Sequence, residues 1–552
     1  MIDPSLLAPP APGPNVLSSA AFEAIATRER VSDRYWTHKD TILAERLWWR
    51  AQTARHMFHI LPGETVLELG CGTGAQTKAI HSVTRGECPI TAATFMPGND
   101  LHTLREACPA VEVVNLTGFP GELTGRQFDY VIGGNLLDQR HAAGLLQEVL
   151  KLLKPGGRLL LFETNPWNPV LQIRKALGRL LPFLKRGDER ALHNQVQLYE
   201  LLSEVGFISI AASCYDFLYP PIPRWLMMPA RNLTLLMENT PGVRNFAGTV
   251  LLHAQKGPRA THRPAVSMTE HASLKGAISV VVPCYNEEMN VGPLADGLLR
   301  HYDEYLHEII LVDDNSKDRT RQVMESLAAA DPRVRPVFRK PPNGVGRALA
   351  DGMRAATGRY VLLMDCDFLH ILPELREMFD AAAAGADVVL GSRFSRDSVL
   401  INYPLQKILC NRSFHVLLNL LFRRRVRDLT NNLKLMRREV VENLDLEAAW
   451  FAANAETGLK PLLMGYKVQG VPISWINRTP EMGQSSFSLV KNGIGYAKVL
   501  GSLAWQTRFG TRLLPRKSDS RPVPVSAENA EAPSPVVVGV GQGPASPEVG
   551  DG

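Results

Sequence analysis

Short apolar runs separated by longer stretches with helical spacing recur along most of this chain. In the first half the runs fall at residues 65–69, 90–95, 111–115, 128–133, 158–163 and 248–255. Apolar runs of this length bounded by turn residues fit strands buried on both faces, and helical stretches between them give the βαβ alternation of a parallel sheet. The second half alternates again, with runs at 278–283, 308–312, 334–338, 360–364 and 387–390, then helical, basic and polar segments to about Gly510. The pattern predicts an α/β protein of two doubly wound domains. Residues 1–27 read as a disordered lead-in and 28–256 as the first domain. Residues 257–276, with two prolines and no apolar periodicity, read as a linker. Residues 277–510 form the second domain, and 511–552, rich in Pro, Ser, Val, Gly and Glu, a disordered tail. No internal repeat is visible, so the halves are different domains.

Composition narrows the class. The chain has 552 residues, 45% hydrophobic and 21% charged, which suits more than one full-sized core. A formal charge of +6 is slight for this size and gives no reason to expect a nucleic-acid partner. The seven cysteines are scattered and never spaced CxxC, which argues against a disulfide framework or a zinc site and for a reducing cytosol. The N-terminus lacks the basic start and apolar core of a secretory leader. No apolar run reaches the ~18 residues of a spanning helix. The expected location is cytoplasmic, with any membrane contact peripheral and at the inner face.

Two clusters carry chemistry. In the first, Gly70, Gly72 and Gly74 follow the apolar run Val66-Leu67-Glu68-Leu69 and precede a helix. Glycines there allow a tight turn and close ligand approach, and the helix start offers unpaired N–H groups. A glycine turn alone is a weak sign. Together with Glu68, the segment Phe128-Asp129-Tyr130-Val131-Ile132-Gly133-Gly134-Asn135 and Leu153-Lys154-Pro155-Gly156-Gly157-Arg158, it resembles the class I S-adenosylmethionine-dependent methyltransferases with a Rossmann-like fold. The resemblance spans about 46–256. It implies that Glu68, Gly70, Gly72, Gly74, Thr94, Asn115 and Asn135 face S-adenosylmethionine. Thr94 stands where the family's ribose-holding acid is expected, and Asn115 where an aspartate often meets adenine. Glu163 and the loop after it sit where a methyl acceptor would approach, with a plain proline-bounded loop as the equal alternative. His141 and His193 are candidate bases by residue type only.

In the second cluster, Asp313 and Asp314 close one apolar run, and Asp365 and Asp367 close another. Two carboxylates two residues apart are spaced to hold a hard divalent cation, Mg2+ or Mn2+, against a diphosphate. With the start Val281-Val282-Pro283-Cys284-Tyr285-Asn286-Glu287-Glu288, these elements resemble the family-2 glycosyltransferases of the GT-A fold. Within that family they resemble the polyprenyl-phosphate mannose and glucose synthases. Further matching elements are Gly344-Val345-Gly346-Arg347, Gly391-Ser392-Arg393-Phe394 and Asp428-Leu429-Thr430-Asn431-Asn432. The likeness spans roughly 277–493.

It implies that Pro283, Tyr285, Glu287, Asp313, Asp314 and Arg393 bind the nucleotide sugar and that Asp365 and Asp367 hold the metal. Asp428, Glu456 and Arg478 are the further catalytic candidates. Leu369 stands where a glutamine often adds a metal ligand, and Ser486 where a lysine is common. No QxxRW pattern occurs, which favours a single transfer over polymerisation. A phosphate acceptor is already an anion and needs little base, whereas a hydroxyl acceptor would need Asp428 or Glu456.

The basic segment Arg423-Arg424-Arg425-Val426-Arg427, with Lys434, Arg437 and Arg438, is either a solvated face or, with 417–422, an interfacial helix near anionic lipid. Residues 168–186, which mix leucines with basic residues, either cap the first domain's acceptor site or touch a membrane, with a core-packed helix as the equal alternative. The leading expectation is a bifunctional enzyme. It would transfer a sugar from a nucleotide sugar to a polyprenyl-phosphate or glycan acceptor and a methyl group from S-adenosylmethionine. The alternative keeps only the glycosyltransferase, with the first domain a non-catalytic scaffold or regulator. A third reading makes both halves binding modules.

Overall fold

The computed structural model describes residues 17–37, 41–96, 101–180, 193–218, 222–258, 271–368, 372, 374–395, 397–401, 403–476 and 489–509. Arg478, Leu369, Ser486, most of the expected linker and the expected tail lie outside them. One compact unit spans Met1–Pro515 and contains both sheets; a second, Arg516–Gly552, lies wholly outside the described residues.

The first sheet is built from β1 (Val66–Leu69), β2 (Ile90–Thr94), β3 (Glu112–Asn115), β4 (Phe128–Gly134), β5 (Leu153–Thr164), β6 (Phe207–Tyr215) and β7 (Thr249–Lys256). Its order is β3-β2-β1-β4-β5-β7-β6, with β7 antiparallel to both neighbours. The chain leaves β1 toward β3, then restarts at β4 on the other side of β1. That reversal opens a crevice beyond the strand ends where such sheets take ligands. Strands β1 and β2 are buried along their whole length, as continuous apolar runs require. β6 was not expected from the pattern. It is an edge strand whose middle residues are partly exposed, so its sequence lacks a continuous apolar run.

The second sheet comprises β8 (Ile278–Cys284), β9 (Leu306–Asp313), β10 (Val334–Phe338), β11 (Tyr360–Leu363) and β12 (Val388–Ser392). A two-residue β13 (Leu400–Ile401) pairs with β16 (Trp475–Ile476), while β14 (Lys434–Arg437) and β15 (Val468–Pro472) complete the large sheet. Its order is β10-β9-β8-β11-β14-β12-β15, with β14 antiparallel between β11 and β12. The reversal here lies between β8 and β11. β14 escapes the sequence pattern because it is four residues long and begins and ends on a cation. Lys434 therefore does not belong to the surface cationic segment. It is wholly buried, and its ammonium donates to the carbonyls of Asn431 and Asn454. Burial lowers its pKa to about 7 against the pull of Asp428 and Asp365.

The two sheets are clamped together. Leu61, just past helix α2 (Thr41–Phe58), sits in the apolar core of the second sheet. Leu235 packs with Phe394, Leu400, Tyr403 and Ile408. Around the helix Leu375–Ala383, Arg376 forks onto Glu87, Arg55 donates to Glu377 at 2.5 Å, and His56 meets buried Glu374. Glu374 also accepts from the Ser474 amide at 2.8 Å, beside the β16 wall of the second site. Removing one member of the fork strands its partner. Arg376→Ala is expected to cost about 2 kcal/mol, read as a lower denaturant midpoint. Glu87→Ala should cost the same and add little on top of Arg376→Ala.

Candidate active site

The ends of β8, β9 and β11 meet at the reversal of the second sheet and open into a cavity of about 930 Å³. Pro283, Tyr285, Glu287 and Asp314 line one end, and Asp365, Cys366 and Asp367 its floor. Asn286 and Asn315, both with positive φ, turn the chain sharply after β8 and β9, a conformation asparagine tolerates better than most residues. Asp314 is fixed by the Gly344 amide at 2.6 Å and by Arg339, which also holds Asp351. Asp313 instead closes the turn. Its side chain is buried, accepts from the Ser316 amide at 3.0 Å and faces Arg321. Asp314 thus lines the cavity and Asp313 supports it from behind.

Asp365 and Asp367 sit on the tight turn after β11. Asn432 donates its Nδ2 to Asp365 Oδ1 at 2.7 Å, and its own Oδ1 is buried with no hydrogen-bond partner among the described residues. Two carboxylates beside an unpaired amide oxygen make an all-oxygen donor set, which fits Mg2+ or Mn2+. Among the described residues no cluster of three or more His, Cys, Asp or Glu side chains could bind a metal. The rest of the coordination would come from diphosphate and water.

Arg393 follows β12 and lines the middle of the cavity. Its guanidinium donates to both oxygens of Asp428 at 2.8 and 3.0 Å and to the Tyr403 hydroxyl at 2.9 Å. Asp428 also accepts from Asn411 at 3.1 Å and from the Thr430 amide. Burial alone would raise its carboxyl pKa, but the charge and hydrogen bonds of Arg393, with His415 nearby, hold it far below the usual range. So stabilised an anion is a poor proton acceptor, and Asp428 does not line the cavity. Its expected alternative role as base is replaced by that of anchor for Arg393. Glu456 likewise lies off the cavity. Its carboxylate accepts from the Glu447 and Ala448 amides at 2.9 and 3.1 Å and faces Lys460 at 3.5 Å.

The far end of the cavity is walled by the helices Leu405–Phe422 and Leu489–Phe509, through Leu409, Phe414, Leu417, Tyr496 and Leu500. The first helix exposes Leu409, Val416, Leu417, Leu420 and Leu421, with Leu420 at 73%. The second exposes Ile494, Trp505 and Phe509. Arg423, Arg424, Arg425 and Arg427 follow the first helix, all exposed. No helix among the described residues is long and apolar enough to cross a membrane. In the first domain, Val170, Ile173 and Leu177 form an exposed stripe on the helix Pro169–Leu180, so its described part is not a buried core helix.

Asn411, Tyr403, Asn454 and Tyr496 are cavity residues that the sequence reading did not single out. Nothing in their local sequence marks them, because distant helices bring in Asn411, Asn454 and Tyr496, and the loop before the first helix brings in Tyr403. Asn432 could have been noticed, as it ends the Asp428-Leu429-Thr430-Asn431-Asn432 element.

The glycine turn after β1 has a different environment. Gly70, Gly72 and Gly74 all have positive φ, and helix α3 (Ala75–Val83) starts directly after them. Helix α1 (Ser19–Trp36), whose residues 19–27 were expected as part of a disordered lead-in but bury Ala21, Ile25 and Ala26, lies across the crevice. Its Glu29 accepts from the Gly72 amide at 2.8 Å, the Thr94 hydroxyl at 2.6 Å and the Phe95 amide at 2.7 Å. Asp33 accepts from the Thr73 amide at 2.7 Å and its hydroxyl at 2.9 Å. A Cβ on Gly72 would collide with the Asp33 carboxylate. Arg28 donates to the Asn135 carbonyl at 3.1 Å, and Asn135 Nδ2 to Ser32 at 3.2 Å.

The hollow that remains, about 30 Å³, is bordered by Glu68, Gly70 and Gly72 but not by Gly74, Thr94, Asn115 or Asn135. At roughly 10–15 Å³ per water it holds a few waters, whereas small-ligand sites run to roughly 300–1,000 Å³. Of the seven residues expected to face S-adenosylmethionine, Glu68, Gly70 and Gly72 border this hollow, which with the helix in this place is far smaller than a nucleoside ligand needs. Burial raises Glu68 to about 8 and Glu29 to about 7. Glu163 is not open to an acceptor either. It is buried, and accepts from the Leu136 and Leu137 amides at 2.8 and 3.3 Å. His141 is engaged with Asp138 at 2.9 Å.

Comparison with known proteins agrees with the second site. Residues 279–445 match the family model for glycosyl transferase family 2. A polyprenol monophosphomannose synthase of Mycolicibacterium smegmatis is 33% identical over 216 residues, covering 38% of this chain and 80% of the relative. A dolichol-phosphate mannosyltransferase of Pyrococcus furiosus is 27% identical over 186 residues, 33% of this chain and 52% of that one. Among solved structures, glucosyl-3-phosphoglycerate synthase of Mycobacterium tuberculosis with Mn2+ and uridine-diphosphate-glucose matches 46% of this chain and 86% of its own. The identity is 20% and the TM-score 0.34. With its strand-end carboxylates, Arg393 and the matched residues together, the chain belongs to glycosyl transferase family 2.

Proposed function

We propose that the second domain, read as a GT-A fold, transfers one sugar from a nucleotide sugar to a polyprenyl phosphate with inversion at the anomeric carbon. The observation that carries this reading is the continuity of one cavity from Asp314, Asp365 and Asp367 to the apolar helices beside exposed arginines. Pro283, Tyr285, Glu287 and Asp314 would hold the nucleoside end. Asp365, Asp367 and Asn432 would hold Mg2+ or Mn2+, which when bound offsets charge on the departing diphosphate. Arg393 orients the sugar or phosphate from the middle of the cavity, and Arg478 is carried as a phosphate contact from the family resemblance. A phosphate acceptor supplies its own nucleophilic oxygen. That suits a site in which Asp428 and Glu456 are committed to structural partners.

The exposed leucines, Trp505 and Phe509, with Arg423, Arg424, Arg425 and Arg427, support peripheral docking on an anionic membrane face, where a lipid phosphate would be reached. The names of both curated relatives point to mannose and a polyprenyl or dolichyl phosphate as the first substrates to test. For the first domain, methyl transfer is supported by the glycine turn at a sheet reversal. The filled crevice favours the alternative, a glycosyltransferase whose first domain is a scaffold in the state described. The test is a screen of GDP- and UDP-sugars with polyprenyl phosphate and Mn2+, following nucleotide release and the glycolipid formed. Release that requires the lipid phosphate supports the reading. Release with water alone, or only with a hydroxyl acceptor, sinks it.

A further inference from the structure

Three features of the first domain belong together: a glycine turn with positive φ, a threonine in place of an acid at the end of β2, and two carboxylates of α1 seated on both. The turn and the start of α3 present backbone N–H groups that favour an anion. Glu29 and Asp33 take the donors of Gly72, Thr73 and Phe95. Thr94 donates its hydroxyl to Glu29 at 2.6 Å. An aspartate at that position would set two carboxylates against each other at hydrogen-bond distance, which like charges resist. The missing acid and the seated helix are therefore two halves of one arrangement. Arg28 and Ser32, on the same helix, fasten it to Asn135 at the end of β4. The helix thus engages both sides of the sheet reversal.

We infer that α1 is a built-in occupant of the first domain's crevice. Its Glu29 and Asp33 carboxylates take the place of a nucleoside ligand, so such a ligand enters only when the helix withdraws. The reading needs no chemistry at the first site. It makes the crevice a gate whose closed state is stabilised by the chain itself, and the ligand that opens it must supply acceptors for the same donors.

The test uses the full chain and two independent variants. Glu29→Gln with Asp33→Asn keeps side-chain volume and removes both charges. Thr94→Asp leaves α1 intact and repels it. Amide hydrogen exchange at Gly72, Thr73 and Phe95 is expected to be slow in the parent and about tenfold or more faster in both variants. Calorimetric titration with S-adenosylmethionine is expected to give binding at least about tenfold tighter in the variants than in the parent. Nucleotide-sugar turnover, unchanged in both, reports that the chain is folded. Fast exchange at these amides in the parent, or equal measurable affinity in all three proteins, overturns the inference. If exchange responds as expected and none of the three binds the nucleoside, the occupied crevice stands and the methyl-transfer reading falls.

Discussion

Asp365→Asn and Asp367→Asn are each expected to lower sugar transfer by roughly 10²–10³-fold, the scale on which a preorganised charge at a leaving group acts. Asparagine keeps the shape of the turn and an oxygen able to accept the Asn432 bond. The loss should therefore fall on turnover and metal affinity and leave the unfolding midpoint nearly unchanged. Chelation of divalent ions should abolish parent activity, and Mn2+ should restore it. In the variants, raising Mn2+ should recover part of the rate if one carboxylate and Asn432 still hold the ion. Full activity in either variant, or in a chelated parent, would remove the metal from the proposed mechanism. Asn432→Ala is the milder companion, since it removes one amide oxygen and leaves both carboxylates.

Asp428→Asn is expected to damage both stability and activity. Asp428 is the partner of a guanidinium that is itself almost wholly buried. Breaking a buried pair from one side leaves an uncompensated charge, at about 3–5 kcal/mol. The released Arg393 also loses its aim into the cavity, so turnover should fall with the midpoint. Arg393→Lys should fold better than Asp428→Asn but lose the fork that grips both oxygens, separating the catalytic effect from the structural one. The sign of the pH effect follows from the depressed carboxyl of Asp428. The pair's contribution is complete above the unfolded-state pKa of about 3.9 and is lost as pH falls below it. Acid unfolding of the parent should therefore begin at lower pH than that of Asp428→Asn, measured at matched ionic strength. Coincident acid midpoints would mean that the pair adds nothing to folding.

The central strands of both sheets were legible because buried parallel strands must be continuous apolar runs. β1, β2, β8, β9 and β11 are mostly apolar, broken only by Glu68, Thr91, Thr94, Ser279, His307, Glu308 and Asp313. β6 and β14 were not legible. An edge strand needs no second apolar face, and a four-residue strand framed by Lys434 and Arg437 has too few positions to display a period. The carboxylates proposed for nucleotide and metal were legible because each lies at a strand end or within four residues after it, where local sequence dictates position. Asn411 and Tyr496 reach the same cavity from helices far along the chain, and Tyr403 from the loop before the first of them.

By itself, then, the sequence determined the two alternating α/β sheets, the strand-end acids of the second and the glycine turn of the first. Each depends on spacing within a few residues of one strand. Only the tertiary structure decided what those groups face. It turned Asp428 from a candidate base into the anchor of Arg393 and drew Lys434 into the core. It joined the two sheets through Leu61 and the Arg376–Glu87 fork. It also set Glu29, 65 residues before Thr94, on the hydroxyl at the end of β2. The physical reason is the same in each case. A charged or hydrogen-bonding group takes its pKa and its partner from whatever folding brings within about 3 Å, and that distance is unrelated to separation along the chain.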